Sequence, residues 1–250
     1  MMTVLTFAAL AVGQLSLQAE EFQVDGVRRT ALVHIPKNLK GAPVVFGFHG
    51  HGGNSRTAAR SFDLHRHWPN ALVIYPQGLA TKTPNDPNGN RPGWQYVKGT
   101  DQDRDLKFFD SLVDWSRRKS ASAAKVFVMG HSNGGSFTYL LWEQRASKLA
   151  AVAPAGAIFT MIHGIAAPKP CLLIAGKTDA IVNPDRQLAG HERAKKLNGA
   201  KNPGRTWNEV CTWFDGIQPT VTYVFGGGHQ YPALAGKLTA EFFKQIAKEK

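Results

Sequence analysis

Short, almost uninterrupted apolar runs punctuate this chain, spaced so that a helix fits between most neighbours. They are PVVFGF (43–48), ALVIYP (71–76), KVFVMG (125–130), LAAVAP (149–154), CLLIAG (171–176) and TVTYVF (220–225). Runs of this length without polar alternation predict strands covered on both faces, as in a parallel sheet. The segment EFQVDGVRRTALVHIP is different: Phe22 and Val24 alternate with polar residues, Asp25-Gly26 supplies a turn, and Ala31, Val33 and Ile35 alternate again. That pattern predicts an opening β-hairpin.

Helical periodicity fills the intervals. DLKFFDSLVDWSRRK carries Leu106, Phe109 and Val113 on one face, with Asp105 as its expected N-cap. GGSFTYLLWEQRA, NPDRQLAGHERAKKL and ALAGKLTAEFFKQIAKEK are the other helical stretches. Alternating strand and helix predicts an α/β fold with a largely parallel sheet and helices on both faces. Two irregular segments interrupt it, 77–100, rich in Pro, Gly and Asn, and 198–216, which begins as loop and ends as a candidate strand. Loops this long in a compact domain tend to line binding sites.

Composition changes this picture little, and charge somewhat more. With 43% apolar and 19% charged residues the chain is globular rather than disordered. Its formal net charge of +12 comes from scattered Lys and Arg without interleaved aromatics. Nucleic acid is therefore not an expected partner, whereas an anionic polymer around the substrate remains open. Residues 4–12 are apolar and LQA follows, so residues 1–19 read as an export signal cleaved after Ala19, although no Lys or Arg precedes the apolar stretch. Residues 20–250 then form one catalytic domain in a secreted or periplasmic protein, with no stable membrane association expected. Cys171 and Cys211 are either one disulfide or two buried thiols.

The chemistry centres on VMGHSNGGSF. Gly130-His131-Ser132-Asn133-Gly134 joins a predicted strand to a predicted helix, the setting of a nucleophile elbow. A serine needs a general base and the base needs an orienting acid. Downstream, AGKTD places Asp179 beyond one strand and GGGH places His229 beyond another, in the chain order Ser, Asp, His. Asp185 reads as a helix-start residue, Asp215 as a turn former, His131 as part of the elbow, and His163 and His191 as surface or structural. Backbone N–H groups of Asn133 and of His51, in FHGHGG, are the expected oxyanion donors. His49 and His51 lack the further ligands a metal requires, so neither metal nor organic cofactor is expected.

FHGHGG, VIYPQG, GWQ, VFVMGHSNGGSFTYLL, LAAVAPAGA, AGKTDAIV and GGGHQYP occur in the order seen in polyhydroxybutyrate depolymerase-like esterases, relatives of the feruloyl and acetyl xylan esterases of carbohydrate esterase family 1. The chain resembles that group from about residue 22 to residue 243. The resemblance implies an α/β-hydrolase fold, near-minimal and without a separate lid domain. It implies Ser132, Asp179 and His229 as the triad, Trp94 lining the substrate cleft and Tyr231 beside the catalytic histidine. Where relatives tend to have HGTAD this chain has AGKTD, and Tyr231 stands where many carry Trp.

The implied function is a serine esterase acting on feruloyl or acetyl esters of plant polysaccharide, a polymeric substrate. Short 3-hydroxybutyrate esters are the alternative, and a serine peptidase or a non-catalytic glycan-binding protein on the same scaffold are further ones. Trp94, Trp207, Trp213 and Tyr231 are the candidate aromatic walls for an aryl acyl group; the pattern does not indicate an oligomeric state.

Overall fold

The computed structural model of the protein describes residues 16–119, 121, 125–160 and 167–248. β1 (Gln18–Val24) and β2 (Val27–His34) form the opening hairpin, with Val24 opposite Val27 and Gln18 opposite Val33. The export segment lies outside the described residues as far as residue 15, and its expected boundary after Ala19 falls inside β1. After β3 (Val44–Phe48) come α1 (Ser55–Phe62) and α2 (Leu64–His67), then β4 (Leu72–Pro76). The apolar pattern predicts neither helix. The signal of α1 is at its terminus instead, where the Asn54 side chain accepts from Thr57 N–H and Asn54 N–H donates to Thr57 Oγ1, a reciprocal cap.

The irregular segment that follows contains β5 (Leu79–Ala80) paired with β6 (Pro92–Gly93). Alternation then resumes as α3 (Arg104–Arg118), β7 (Val126–His131), α4 (Asn133–Arg145), β8 (Ala151–Ala155), β9 (Cys171–Gly176) and α5 (Pro184–Leu197). β10 (Arg205–Trp207), β11 (Cys211–Phe214), β12 (Thr220–Phe225) and α6 (Ala235–Lys248) complete it.

Among the described residues ten strands form one sheet in the order β1-β2-β4-β3-β7-β8-β9-β12-β11-β10. The six strands from β4 to β12 in that order are parallel, and antiparallel pairs flank them on both sides. Each buried strand sends alternate side chains to opposite faces. Val44, Phe46, Val126 and Val128 join α3, α4 and α5 in one core, and Val45, Phe127 and Met129 join α1, α2 and α6 in the other. No described helix is long and apolar enough to cross a membrane. Cys171 and Cys211 are buried free thiols on β9 and β11, with β12 between them.

One expectation about α3 is corrected. Asp105 is not the N-cap; it sits inside the first turn, its carboxylate buried. Its Oδ1 accepts from Arg29 Nη2 at 2.8 Å and its Oδ2 from Gln95 N–H at 2.9 Å, while Asp105 N–H donates to Gln95 Oε1. Gln95 thus satisfies the helix terminus, and Arg29 of β2 claims the carboxylate that would otherwise have capped it. Arg29→Met leaves the buried Asp105 carboxylate without its nearest counter-ion, with Arg104 at 3.8 Å as the more distant one, so urea unfolding should show a loss of about 3 kcal/mol. Adding Asp105→Asn should recover part of it, and an unchanged midpoint for Arg29→Met alone would contradict this account.

Candidate active site

The strand ends decide where the chemistry collects. β7, β9 and β12 are parallel, so the loops beyond their carboxyl ends meet on one edge of the sheet. Ser132 follows β7, Asp179 follows β9 and His229 follows β12. Ser132 adopts φ 57° and ψ −121°, a strained conformation for a residue with a Cβ, and its N–H donates to Ala155 O at 2.9 Å. The turn is tight enough that a Cβ on Gly134 would stand 2.6 Å from His49 O and still closer to Phe48 O. Glycine is required there by space, not by φ.

Ser132 Oγ lies 2.8 Å from His229 Nε2, and His229 Nδ1 lies 2.8 Å from Asp179 Oδ2. With the Nδ1 proton directed at the carboxylate, Nε2 is the lone pair that accepts from the serine hydroxyl. Asp179 is 4% exposed. Its Oδ1 accepts from the N–H groups of Ile181 and Val182, and its Oδ2 also from Gln187 Nε2 at 2.9 Å. Burial works against the ionised form, but His229 and those two amides outweigh it and hold the carboxyl below its ordinary range. Gln187, buried on α5, escapes sequence reading because nothing in NPDRQLAG distinguishes it from a surface glutamine.

The loop after β3 closes the other side. A Cβ on Gly50 would meet Ser132 Cβ at 3.4 Å, so this loop lies directly against the serine. The N–H groups of His51 and Asn133 have no acceptor among the described residues, and Asn133 opens α4, whose first amides are unpaired by helix geometry. The Asn133 side chain is clamped: its Oδ1 accepts from Trp94 N–H at 2.7 Å and its Nδ2 donates to Trp94 O at 2.9 Å. His51 Nε2 pairs with Asp86 Oδ2 at 3.0 Å. Asp86 also gathers the N–H groups of Gly89, Asn90 and Arg91, which organises the long loop. His49 is neutral: burial pushes it down to about 4, its Nδ1 faces Gly50 O, and its Nε2 accepts from Gly78 N–H.

The expected roles of four aromatic residues are corrected here. Trp94 does not line a cleft; it is 0% exposed, stacks on Phe137, meets Phe48 edge-on and donates its indole N–H to His49 O. It buttresses the two loops from behind. Tyr231 also faces away, packing on Phe62 and His131 with its hydroxyl 3.5 Å from Thr239 Oγ1. Trp207 and Trp213 pack together and against Phe242 of α6 instead of forming a wall. His131 is held against the His229 ring, centroids 4.9 Å apart, and burial pushes it down to about 4 with His229 adding to the effect. His191 is buried on α5, and His163 lies outside the described residues.

What Ser132 opens onto is a cavity of about 630 Å³. One wall is the α4 face carrying Ser136, Tyr139, Leu140 and Glu143, whose spacing is that of a single helical stripe. Ile158, Ile181 and Val182 add apolar surface, and Thr83, Asn85, Arg91 and Tyr96 belong to the long loop.

The buried histidines give the fold a pH signature. His49 and His131 are lowered to about 4 and His191 to about 3, burial being the main cause in each. All three are neutral when folded and bind protons below about pH 6.5 when unfolded, so stability rises with pH across the window from about 4 to 6.5. Asp179, low in the folded chain, extends the loss to still more acid conditions. Urea midpoints should fall steadily from pH 7 to pH 4; a flat profile would contradict the burial of these rings.

No family model matches the chain. It is 24% identical over 164 residues to the bifunctional acetylxylan esterase/xylanase XynS20E of Neocallimastix patriciarum, a match that covers 64% of this chain and 22% of that much longer relative. Among solved structures it resembles an acetyl xylan esterase from Aspergillus awamori, with a TM-score of 0.66, 15% identity, and 91% and 99% of the two chains covered. A ferulic acid esterase superposes with a TM-score of 0.66 at 13% identity, covering 92% and 98%. The substrate-bound fluorophosphonate-binding serine hydrolase F of Staphylococcus aureus gives 0.64 at 13%, also covering 92% and 98%. With its mostly parallel sheet, its helices on both faces and these neighbours, the chain is by fold an α/β-hydrolase.

Proposed function

We propose that the chain is a serine esterase that hydrolyses carboxylic esters through an acyl-enzyme. The observation that carries this reading is the unbroken relay from Ser132 Oγ to His229 to Asp179, 2.8 Å at each step, opening on a cavity. His229 Nε2 takes the hydroxyl proton as Ser132 Oγ attacks the ester carbonyl carbon. Asp179 keeps the imidazole oriented and stabilises its charged form. The N–H groups of Asn133 and His51 receive the negative carbonyl oxygen. Collapse of the tetrahedral species expels the alcohol, to which His229 gives the proton. Water then repeats the sequence on the acyl group, His229 again acting as base, and frees Ser132.

For the substrate we propose feruloyl or acetyl esters of plant polysaccharide, with short 3-hydroxybutyrate esters as the alternative. The acetyl xylan and ferulic acid esterases with the same fold support the first choice. So does a cavity of a size that accepts drug-sized groups, with Tyr139, Leu140, Ile158 and Ile181 offering an acyl group an apolar seat. Initial rates on p-nitrophenyl acetate, methyl ferulate, acetylated xylan and a 3-hydroxybutyrate oligomer test both statements. Cleavage led by methyl ferulate or acetylated xylan is the expected result. Preference for the oligomer would move the substrate to polyesters, and silence on all four would overturn the esterase reading.

A further inference from the structure

The cavity beside Ser132 carries two cationic side chains that the ester chemistry does not use. They come from different walls, Arg91 from the long loop and Arg186 from the first turn of α5. Both residues are exposed, and neither is paired with a carboxylate among the described residues. Their main chains are nonetheless fixed. Arg91 N–H donates to Asp86 Oδ2 at 3.0 Å, and Arg186 N–H donates to the Asn183 side chain at 3.0 Å. Arg186 also breaks a local rule. The first turn of a helix is its positive end, where anionic side chains are favoured and a cation is not. A residue placed against its helix dipole, at the mouth of a candidate active site, is the kind of conflict that function maintains.

Of the other titratable groups at the cavity, His131 is pushed to about 4 by burial, His229 and His51 are engaged with Asp179 and Asp86, and Glu143 has an interaction of its own. A chain of net charge +12 adds a long-range field of the same sign. The planar fork of arginine matches a carboxylate with two parallel hydrogen bonds.

From this, and resting on the esterase reading above, we infer that the site selects esters bearing a carboxylate on the part of the substrate that reaches Arg91 and Arg186. Such an anion is carried either by the acyl group or by the alcohol, for instance an acidic sugar, and matched pairs separate the two. For the acyl side, p-nitrophenyl hemisuccinate is compared with p-nitrophenyl butyrate. For the alcohol side, 4-acetoxybenzoate is compared with 4-methylphenyl acetate. The quantity read is the ratio of kcat/KM for the carboxylate ester to that for its neutral partner, which normalises any disturbance of the catalytic groups.

A ratio of about ten or more in at least one pair is expected at low ionic strength, charge-assisted pairing being worth that much. It should decline in 0.5 M salt, because a Debye length of about 4 Å weakens exposed pairs. It should fall towards the level set by the esters' own reactivity in Arg91→Gln, Arg186→Gln and their double variant. Ratios that ignore both the variants and salt would overturn the inference while leaving the esterase reading intact, provided the neutral esters are cleaved by wild type. If no ester of either pair is cleaved, both readings fall together.

Discussion

Ser132→Ala should lower kcat on any cleaved ester by roughly five to six orders of magnitude while leaving the fold unchanged, the scale seen when a serine nucleophile is removed from a complete triad. The reason lies in how little else at this site can attack a carbonyl. The Ser132 hydroxyl alone meets the His229 lone pair, and the neighbouring His131 is neutral and packed on the His229 ring. Substitution removes one oxygen from a turn whose backbone is fixed by the Ser132 N–H to Ala155 O bond, so circular dichroism and unfolding midpoints should stay close to wild type. Alanine also relieves none of the φ 57° strain, since it too carries a Cβ. Residual catalysis would come from the amides of Asn133 and His51 acting on bound substrate. Activity within tenfold of wild type would remove Ser132 from the mechanism altogether. Retention of polysaccharide binding in an inactive wild type would point to the non-catalytic reading.

Gly134→Ala is the second large effect, and its sign is what makes it informative. Inside a helix the exchange of Gly for Ala ordinarily stabilises by about 1 kcal/mol. Here the added methyl group would press on two backbone oxygens, Phe48 O and, at 2.6 Å, His49 O. Neither belongs to a flexible side chain that could swing aside. Relief requires α4 to separate from the end of β3, which moves Asn133 and the Gly50–His51 turn apart. A loss of about 3 kcal/mol or more is expected, in line with the upper range for overpacking a dense interior. Any protein that still folds should hydrolyse esters at least a hundredfold more slowly, because misplacement by about 1 Å costs that much. A stabilised or unaltered Gly134→Ala would mean that the elbow is looser than the structure indicates.

The sheet was legible because burial on two faces leaves a local mark. All six apolar runs become parallel strands, and Asp25-Gly26 turns the opening hairpin. Asp179 and His229 could be located as candidates because a strand end is visible in a sequence and parallel strands bring such ends together. α1 was missed since its apolar stripe is short; the Asn54 and Thr57 pair was the available signal. Contacts between distant segments left no mark at all. Nothing in PGWQ tells that Trp94 supports the loops from behind and that Gln95 caps α3, or that Arg29, in a hairpin of alternating residues, reaches Asp105 of α3 across the chain. Aromatic residues are large enough to suit either a wall or a core, and burial in three dimensions chose the core for Trp94 and Trp213.

The loop that Asp86 organises is built in an economical way. That single carboxylate holds its fold by accepting main-chain N–H groups of Gly89, Asn90 and Arg91, while the β5–β6 pairing fixes its two ends. The side chains of Thr83, Asn85 and Arg91, which face the cavity, take no part in those bonds. The atoms that set the shape of this loop are therefore different from those that line the cavity. The lining of the cavity can thus be rewritten within this loop while the constellation of Ser132, His229 and Asp179 behind it stays in register.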